Sequence, residues 1–186
     1  NEITAIPQLL DVLNIKGSII TIDAMGTQTA IAEKIREKRC HYVLAVKENL
    51  KSLYEDVSLY LNDEKHIEKI IKKGNYLKTI DKNHGMAEVR EYYQTTSISW
   101  LNGKEKWKGI KSIGMVVRKF NGVTERRYYI SSLSCNIDEF SKAVRGHWSV
   151  ESMHWHLDVT FREYAHHTLD KTAAANMNII RKWCLS

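Results

Sequence analysis

Two short apolar runs constrain this chain more than anything else in it. Ser18-Ile19-Ile20-Thr21-Ile22 and His41-Tyr42-Val43-Leu44-Ala45-Val46 are rich in β-branched residues and lack polar alternation, as strands buried on both faces do. Helical spacing from Ile6 to Leu13 precedes the first run, with Lys16-Gly17 as the turn between them. After the first run, Ala24-Met25-Gly26-Thr27-Gln28 leads into a helical pattern through about Lys38. After the second, Lys47 leads into another from about Leu50 to Leu61. Strand, helix, strand, helix predicts a parallel α/β sheet, because parallel neighbours need a crossover that returns the chain to the same end. Open α/β sheets bind ligands beyond the carboxyl ends of their strands. Asp23 and Lys47 stand at two such ends and are expected on one rim, although an aspartate there can also be a plain helix-start residue.

From about Asn75 the period changes. Tyr76–Asp81, Glu88–Ser97, Ser112–Phe120 and Thr124–Ser132 read as strands, broken at Asn83-His84-Gly85, Leu101-Asn102-Gly103-Lys104 and Asn121-Gly122. Asn121-Gly122 is a strong hairpin signal. This stretch predicts an antiparallel insertion within an α/β domain. Beyond Asn136-Ile137-Asp138 a long helix is expected, and a last one from about Asp170 to Cys184.

The long helix carries a doublet, His147-Trp148 and His154-Trp155, with Glu151 between them. At about 100° per residue, Val144, Trp148, Trp155 and Val159 form one stripe and His147, His154 and Asp158 another, with Glu151 at the edge of the apolar stripe. A carboxylate so placed is anchored by aromatic packing yet free to face a polar cleft. His147, Glu151 and His154 also have zinc-ligand spacing, but no second ligand cluster accompanies them.

Charge adds a partner. Residues 1–100 hold 14 Lys+Arg and 14 Asp+Glu; residues 101–186 hold 14 and 8, so the whole net charge of +6 lies in the second part. That asymmetry points to an anionic partner, nucleic acid first. Arg145, Arg162, Arg181 and Lys182 are candidate phosphate contacts. Trp107, among Lys104, Lys106 and Lys108, is a candidate for stacking on an unpaired base or for capping the β-rich core. Cys40, Cys135 and Cys184 form no C-x-x-C pair and read as reduced thiols. No apolar run approaches a membrane span and no signal peptide opens the chain, so no membrane partner is expected and the cytoplasm is the expected compartment. Carboxylates at a strand end and on a helix edge, beside a basic surface, suit Mg²⁺ and phosphodiester chemistry.

The run from Val144 to Phe161 resembles the signature of the H-repeat-associated insertion-sequence transposases of bacteria. Asn1–Pro7, Thr21–Gln28, Val89–Tyr93, Tyr128–Leu133 and Asn178–Trp183 match the same family in the same order. The resemblance implies a DDE transposase with an RNase H-like core. Residues 1–62 would be the second part of that core, 63–135 the β-rich insertion, and 136–186 the helices completing the core. It also implies that Asp23 and Glu151 are the second and third acids of the catalytic triad. The cofactor would be a two-metal Mg²⁺ site in which Mn²⁺ can substitute, and the partner DNA, as transposon ends and target. The reaction would be nicking at those ends followed by 3′-hydroxyl strand transfer, carried out by a homodimer. Lys47, Trp107, Arg145, His147, His154, Asp158 and Arg162 are supporting or DNA-binding candidates.

The departures carry information too. The triad's first acid belongs to an earlier strand, for which Asp11, on a predicted helix, cannot substitute. The chain is therefore expected to be a C-terminal fragment, inactive by itself. Tyr164 and Met86 differ from the family pattern, and Val144 and His147 occupy the Tyr and Arg positions of the broader superfamily's Tyr-Arg-Glu spacing. Two alternatives stand beside this reading: a non-catalytic DNA-binding remnant of a decayed element, and a metal-dependent nuclease of the same fold.

Overall fold

The structure is a computed structural model that describes residues 2–83, 86–165 and 170–185, with the side chains of residues 2, 83, 86, 149–151 and 164 outside that description. The chain divides into two compact units, residues 1–144 and 145–186.

The first unit is built on one six-stranded sheet in the order β1-β2-β6-β5-β4-β3. β1 (Ile19–Ile22) and β2 (His41–Val46) pair in parallel, from Ile19 opposite His41 to Ile22 opposite Leu44, with α2 (Thr29–Glu37) as the crossover. The parallel pairing predicted from the two apolar runs is therefore present. The remaining strands, β3 (Tyr76–Asn83), β4 (Met86–Thr95), β5 (Ser112–Phe120) and β6 (Val123–Ser131), are antiparallel. They continue the same sheet, since β6 pairs with β2 from Val46 opposite Tyr128 to Val43 opposite Ser131. The fold is thus mixed α/β with a mostly antiparallel sheet. Phe120 pairs with Val123 across Asn121 (φ 49°) and Gly122 (φ 76°), the two left-handed residues that a type I′ hairpin requires.

Alternation sends two sets of side chains to opposite faces. Tyr42, Leu44, Val46, Tyr93, Ile113, Met115, Val117, Tyr128 and Ile130 belong to the main core, with Leu10 of α1 (Glu2–Val12), Ile31 and Ile35 of α2, Val57 and Leu61 of α3 (Lys51–Asn62), and Ile70 of α4 (Glu64–Lys72). The other face, with Val43, Tyr92, Val116 and Tyr129 all buried, receives the first turns of α5 (Ile137–Trp155) through Phe140. Phe140 meets Tyr129 edge-on at 5.7 Å, and its ring lies where a Cβ on Gly114 would project.

A buried polar knot launches α5. Gln94 Nε2 donates to Ser112 Oγ (3.0 Å), Ser112 Oγ donates to the Leu133 carbonyl (2.9 Å), and Gln94 Oε1 accepts the Asn136 N–H (2.9 Å). Ser131 and Ser132 tie the same connection to β2, by donation to the Tyr42 carbonyl (2.9 Å) and acceptance of the Tyr42 N–H (2.9 Å). These hydrogen bonds hold the segment just before α5 against β2, β4 and β5.

The helix α4 lies in the segment expected to be β-rich. Its N-cap is Asp63, whose carboxylate accepts the His66 N–H at 3.0 Å. Ile67, Ile70 and Ile71, at helical spacing, carried the signal in the sequence.

In the second unit α5 ends at Trp155, a π-turn covers His156–Thr160, and α6 runs over Lys171–Trp183 with Asp170 as its N-cap. Glu163 accepts hydrogen bonds from Asn178 and from Arg181 (3.5 Å), which ties the preceding turn to α6. Among the described residues, no helix is long and apolar enough to cross a membrane.

Candidate active site

The rim at the carboxyl ends of β1 and β2 holds the polar residues that the parallel strands bring together. Asp23 directly follows β1 and is exposed. Its Oδ1 accepts the Gly26 N–H at 3.2 Å, which fixes the side chain within its own turn. Thr27, fully buried, lies beneath that turn. Its Oγ1 sits 2.9 Å from the Asp23 carbonyl and 2.7 Å from the Ala45 carbonyl of β2, so the hydroxyl stitches the loop to the neighbouring strand. Asn49 Nδ2 donates to the Ala24 carbonyl at 2.7 Å from the other side. A Cβ on Gly26 would fall 2.5 Å from Ile22 Cγ2 and 3.0 Å from Ile6 Cδ1, so a larger residue there would require the side chains of β1 and α1 to shift. Asp23 therefore presents its carboxylate from a loop braced by backbone, β2 and α1.

Thr27→Val keeps the shape of the side chain and removes the stitch. It is expected to cost about 1–3 kcal/mol, the usual penalty when a buried polar partner is removed, and denaturant unfolding measures it. A loss below roughly half a kcal/mol would mean that the hydroxyl does not brace the Asp23 loop.

Lys47, the other residue of this rim, is exposed and has an extended backbone (φ −133°, ψ −173°) just past β2. Its carbonyl accepts the Leu50 N–H at 3.0 Å, closing the 3-10 turn Glu48–Leu50. Asp23 and Lys47 thus end adjacent parallel strands, as expected. Asp11 lies on α1, where Lys34 (2.7 Å) and Lys38 (3.5 Å) hold it. The hydrogen bond from Lys34 keeps the Asp11 carboxyl below the usual carboxylate range.

In the second unit Arg145 and His154 are exposed on α5, and His147 is half-buried there. Glu151 belongs to the same helix, but its side chain lies outside the described residues. Asp158 is exposed within the π-turn, and Arg162 is exposed in the left-handed region (φ 48°). Among the described residues no three His, Cys, Asp or Glu groups converge as a metal cluster.

Two expectations are corrected and one alternative is decided. Of the two readings of Trp107, stacking on a base or capping the β-rich core, the structure agrees with the second. At 7% exposure Trp107 belongs to the main core with Ile98 and Leu101, since the loop folds its indole inward while Lys106 and Lys108 stay in water. The apolar stripe through Val159 does not hold. Val144 is buried, but Trp155 and Val159 are 56% and 52% exposed. α-Helical spacing stops at Trp155, where the Phe161 N–H bonds back to the His156 carbonyl (3.0 Å) in π fashion, so Asp158 leaves the wheel it was assigned to. Arg181, a candidate phosphate contact, is buried and paired with Glu163. Thr27 and Asn49 escaped the sequence reading; the only signal for them was their position just beyond the two strand ends.

A family model described as "Transposase DDE domain" matches residues 1–186. "Putative transposase YncI" of Escherichia coli O157:H7 is 36% identical over 198 residues, covering 100% of this chain and 49% of that protein. "Putative protein YbfL" and "H repeat-associated putative transposase YhhI", both of E. coli K12, are each 38% identical over 178 residues, covering 88% of this chain and 45% of those proteins. The chain spans about half the length of these curated relatives. No solved structure matches it.

Proposed function

Because the chain belongs to the H-repeat-associated family of DDE-domain transposases, we propose that Asp23 and Glu151 serve as two metal-binding carboxylates for phosphodiester chemistry on transposon-end DNA. The observation that carries this reading is the braced, exposed carboxylate of Asp23 at the carboxyl end of a parallel strand. Open α/β sheets place their ligands there, and we read β1-α2-β2 as part of an RNase H-like core on that basis.

The donor chemistry fits. A carboxylate is a hard oxygen ligand of the kind Mg²⁺ prefers, and Mn²⁺ accepts the same donors. When bound, such a cation neutralises charge on the scissile phosphate and makes an attacking water or 3′-hydroxyl easier to deprotonate. The chain's own part is positioning. The Gly26 N–H holds one carboxylate oxygen of Asp23 in place, and the side chain is exposed. Lys47, ending the adjacent strand, supplies a positive charge on the same rim for a DNA phosphate. Glu151 contributes the second acid from α5. Nicking at transposon ends, 3′-hydroxyl transfer to a target, and action as a dimer on paired ends are the proposed roles of the whole protein.

Mn²⁺ binding to the chain, followed by electron paramagnetic resonance, tests the assignment. Asp23→Asn and Glu151→Gln should each weaken binding by about tenfold or more, whereas Asp158→Asn should leave it within about twofold. Equal Mn²⁺ affinity in wild type and Asp23→Asn would remove Asp23 from the metal site.

A further inference from the structure

The opposite end of the same strands carries a second charged feature. At the amino ends of β1 and β2, the Gly17 N–H donates to the Arg39 carbonyl (3.2 Å) and the His41 N–H to the Ser18 carbonyl (2.8 Å). One strand further on, Ser132 Oγ and the Ser132 carbonyl lie 3.4 and 3.3 Å from the His41 ring, and the Lys111 N–H donates to the Ser131 carbonyl (2.9 Å). Arg36 reaches the same edge, with Nη1 3.3 Å from the His41 ring, and the turn at Gly109 abuts it, since a Cβ there would sit 3.0 Å from Arg36 Nε. These contacts string Lys16, Arg39, Arg36, Lys108 and Lys111 along one edge of the sheet.

The charge along this edge is unbalanced. Glu37 is the one carboxylate in the segments 15–18, 36–41, 108–112 and 131–132. Among the described residues none of the five cations forms an ion pair, and Asp11 nearby is taken by Lys34 and Lys38. Lys16, Arg39, Lys108 and Lys111 are exposed. Arg39 is set in the left-handed region (φ 58°), just beyond the C-cap of α2. Glycine fills such positions with the least strain, yet here a guanidinium is held out to solvent.

We infer that this amino-end rim docks the phosphate backbone of duplex DNA, on a segment separate from the one the Asp23 rim would engage. The two rims lie at opposite ends of β2, six residues or about 20 Å apart. Lys16, Arg39, Lys108 and Lys111 form an exposed row outside ion pairs among the described residues, while Arg36 is held by the Cys40 carbonyl and the His41 ring behind them; such a row suits phosphates and confers no sequence preference. This inference rests on the reading of the chain as a DNA-acting transposase domain.

Anisotropy of a labelled duplex of arbitrary sequence, titrated with the 186-residue chain across a salt series, tests it. The variant K16Q/R39G/K111Q should bind on the order of tenfold more weakly near 0.1 M salt, with a log–log salt slope shallower by about 0.9 for each phosphate no longer engaged. The single variant Arg39→Gly should lose affinity while unfolding at the same or higher denaturant concentration, which separates weakened docking from a weakened fold. The control K65Q/K69Q/K72Q, on α4, should leave the slope unchanged. Wild-type binding with an unchanged slope in the rim variant, or an equal drop in the α4 control, overturns this docking surface and leaves the DNA reading intact. Absence of duplex binding by the wild-type chain overturns the docking surface and counts against DNA as a partner, whatever the Mn²⁺ result for Asp23.

Discussion

Phe140→Ala is expected to lower the unfolding free energy of the first unit by about 3–5 kcal/mol, the range for emptying a buried aromatic site. Phe140 is fully buried and belongs to the first turns of α5, which cover the sheet face holding Val43, Tyr92, Val116 and Tyr129. Its ring packs edge-on against Tyr129 at 5.7 Å and fills the space that Gly114 leaves by having no side chain. The two residues should therefore be coupled. Gly114→Ala alone is expected to destabilise by about 1–3 kcal/mol, because the new methyl would meet the ring inside van der Waals contact. In the Phe140→Ala background the same methyl enters the vacated space and should cost little or stabilise. Denaturant unfolding of the four proteins closes the cycle, and additive effects would mean that the ring does not pack over Gly114.

Arg90→Met is the second large effect, expected to cost about 3 kcal/mol. The side chain of Arg90 is 8% exposed and pairs with Asp81 of β3 at 2.6 Å and with Glu88 of β4. Strand register explains why it matters. Asp81 stands directly opposite Glu88, and Arg90 directly opposite Arg118, so both of these cross-strand pairs are repulsive. Other contacts offset this: Arg90 reaches Asp81 diagonally and Glu88 two residues away on its own strand, while Arg118 reaches Glu88 diagonally and Glu125 directly opposite it on β6. Removing Arg90 leaves Asp81 and Glu88 facing one another with less cation between them. The lower end of the range for broken buried pairs applies because Asp81 is 38% exposed. Glu88→Gln in the Arg90→Met background should recover part of the stability; a single-variant cost under about 1 kcal/mol at low salt would show the ladder to be a surface ornament of the hairpins.

The parts of the fold that announced themselves did so through local chemistry. The β-branched runs at 19–22 and 41–46 became the parallel pair, and Asn121-Gly122 became the two-residue hairpin, because burial on both faces and positive φ restrict residue choice at those positions. Asp23 was legible for a similar reason, as a carboxylate at the end of an apolar run. Trp107 stayed ambiguous because its neighbours in sequence are lysines, whereas its neighbours in space are Ile98 and Leu101. The helical wheel misled past Trp155 because it assumes constant spacing, and the π-turn changes that spacing.

What the sequence determined by itself is therefore the two parallel strands, the hairpin at Asn121-Gly122 and the family to which the chain belongs. Only the tertiary structure decided that the antiparallel strands extend the sheet of β1 and β2, that Thr27 braces Asp23 against Ala45, and that Arg90 neutralises two facing carboxylates. It also gathered Lys16, Arg39 and Lys111 from three separate stretches onto one edge. The physical reason is the reach of each effect. Strand and turn preferences act within a few residues and leave a mark in composition. Cross-strand neighbours and charge rows depend on register and sheet order, which bring together residues that share no local pattern.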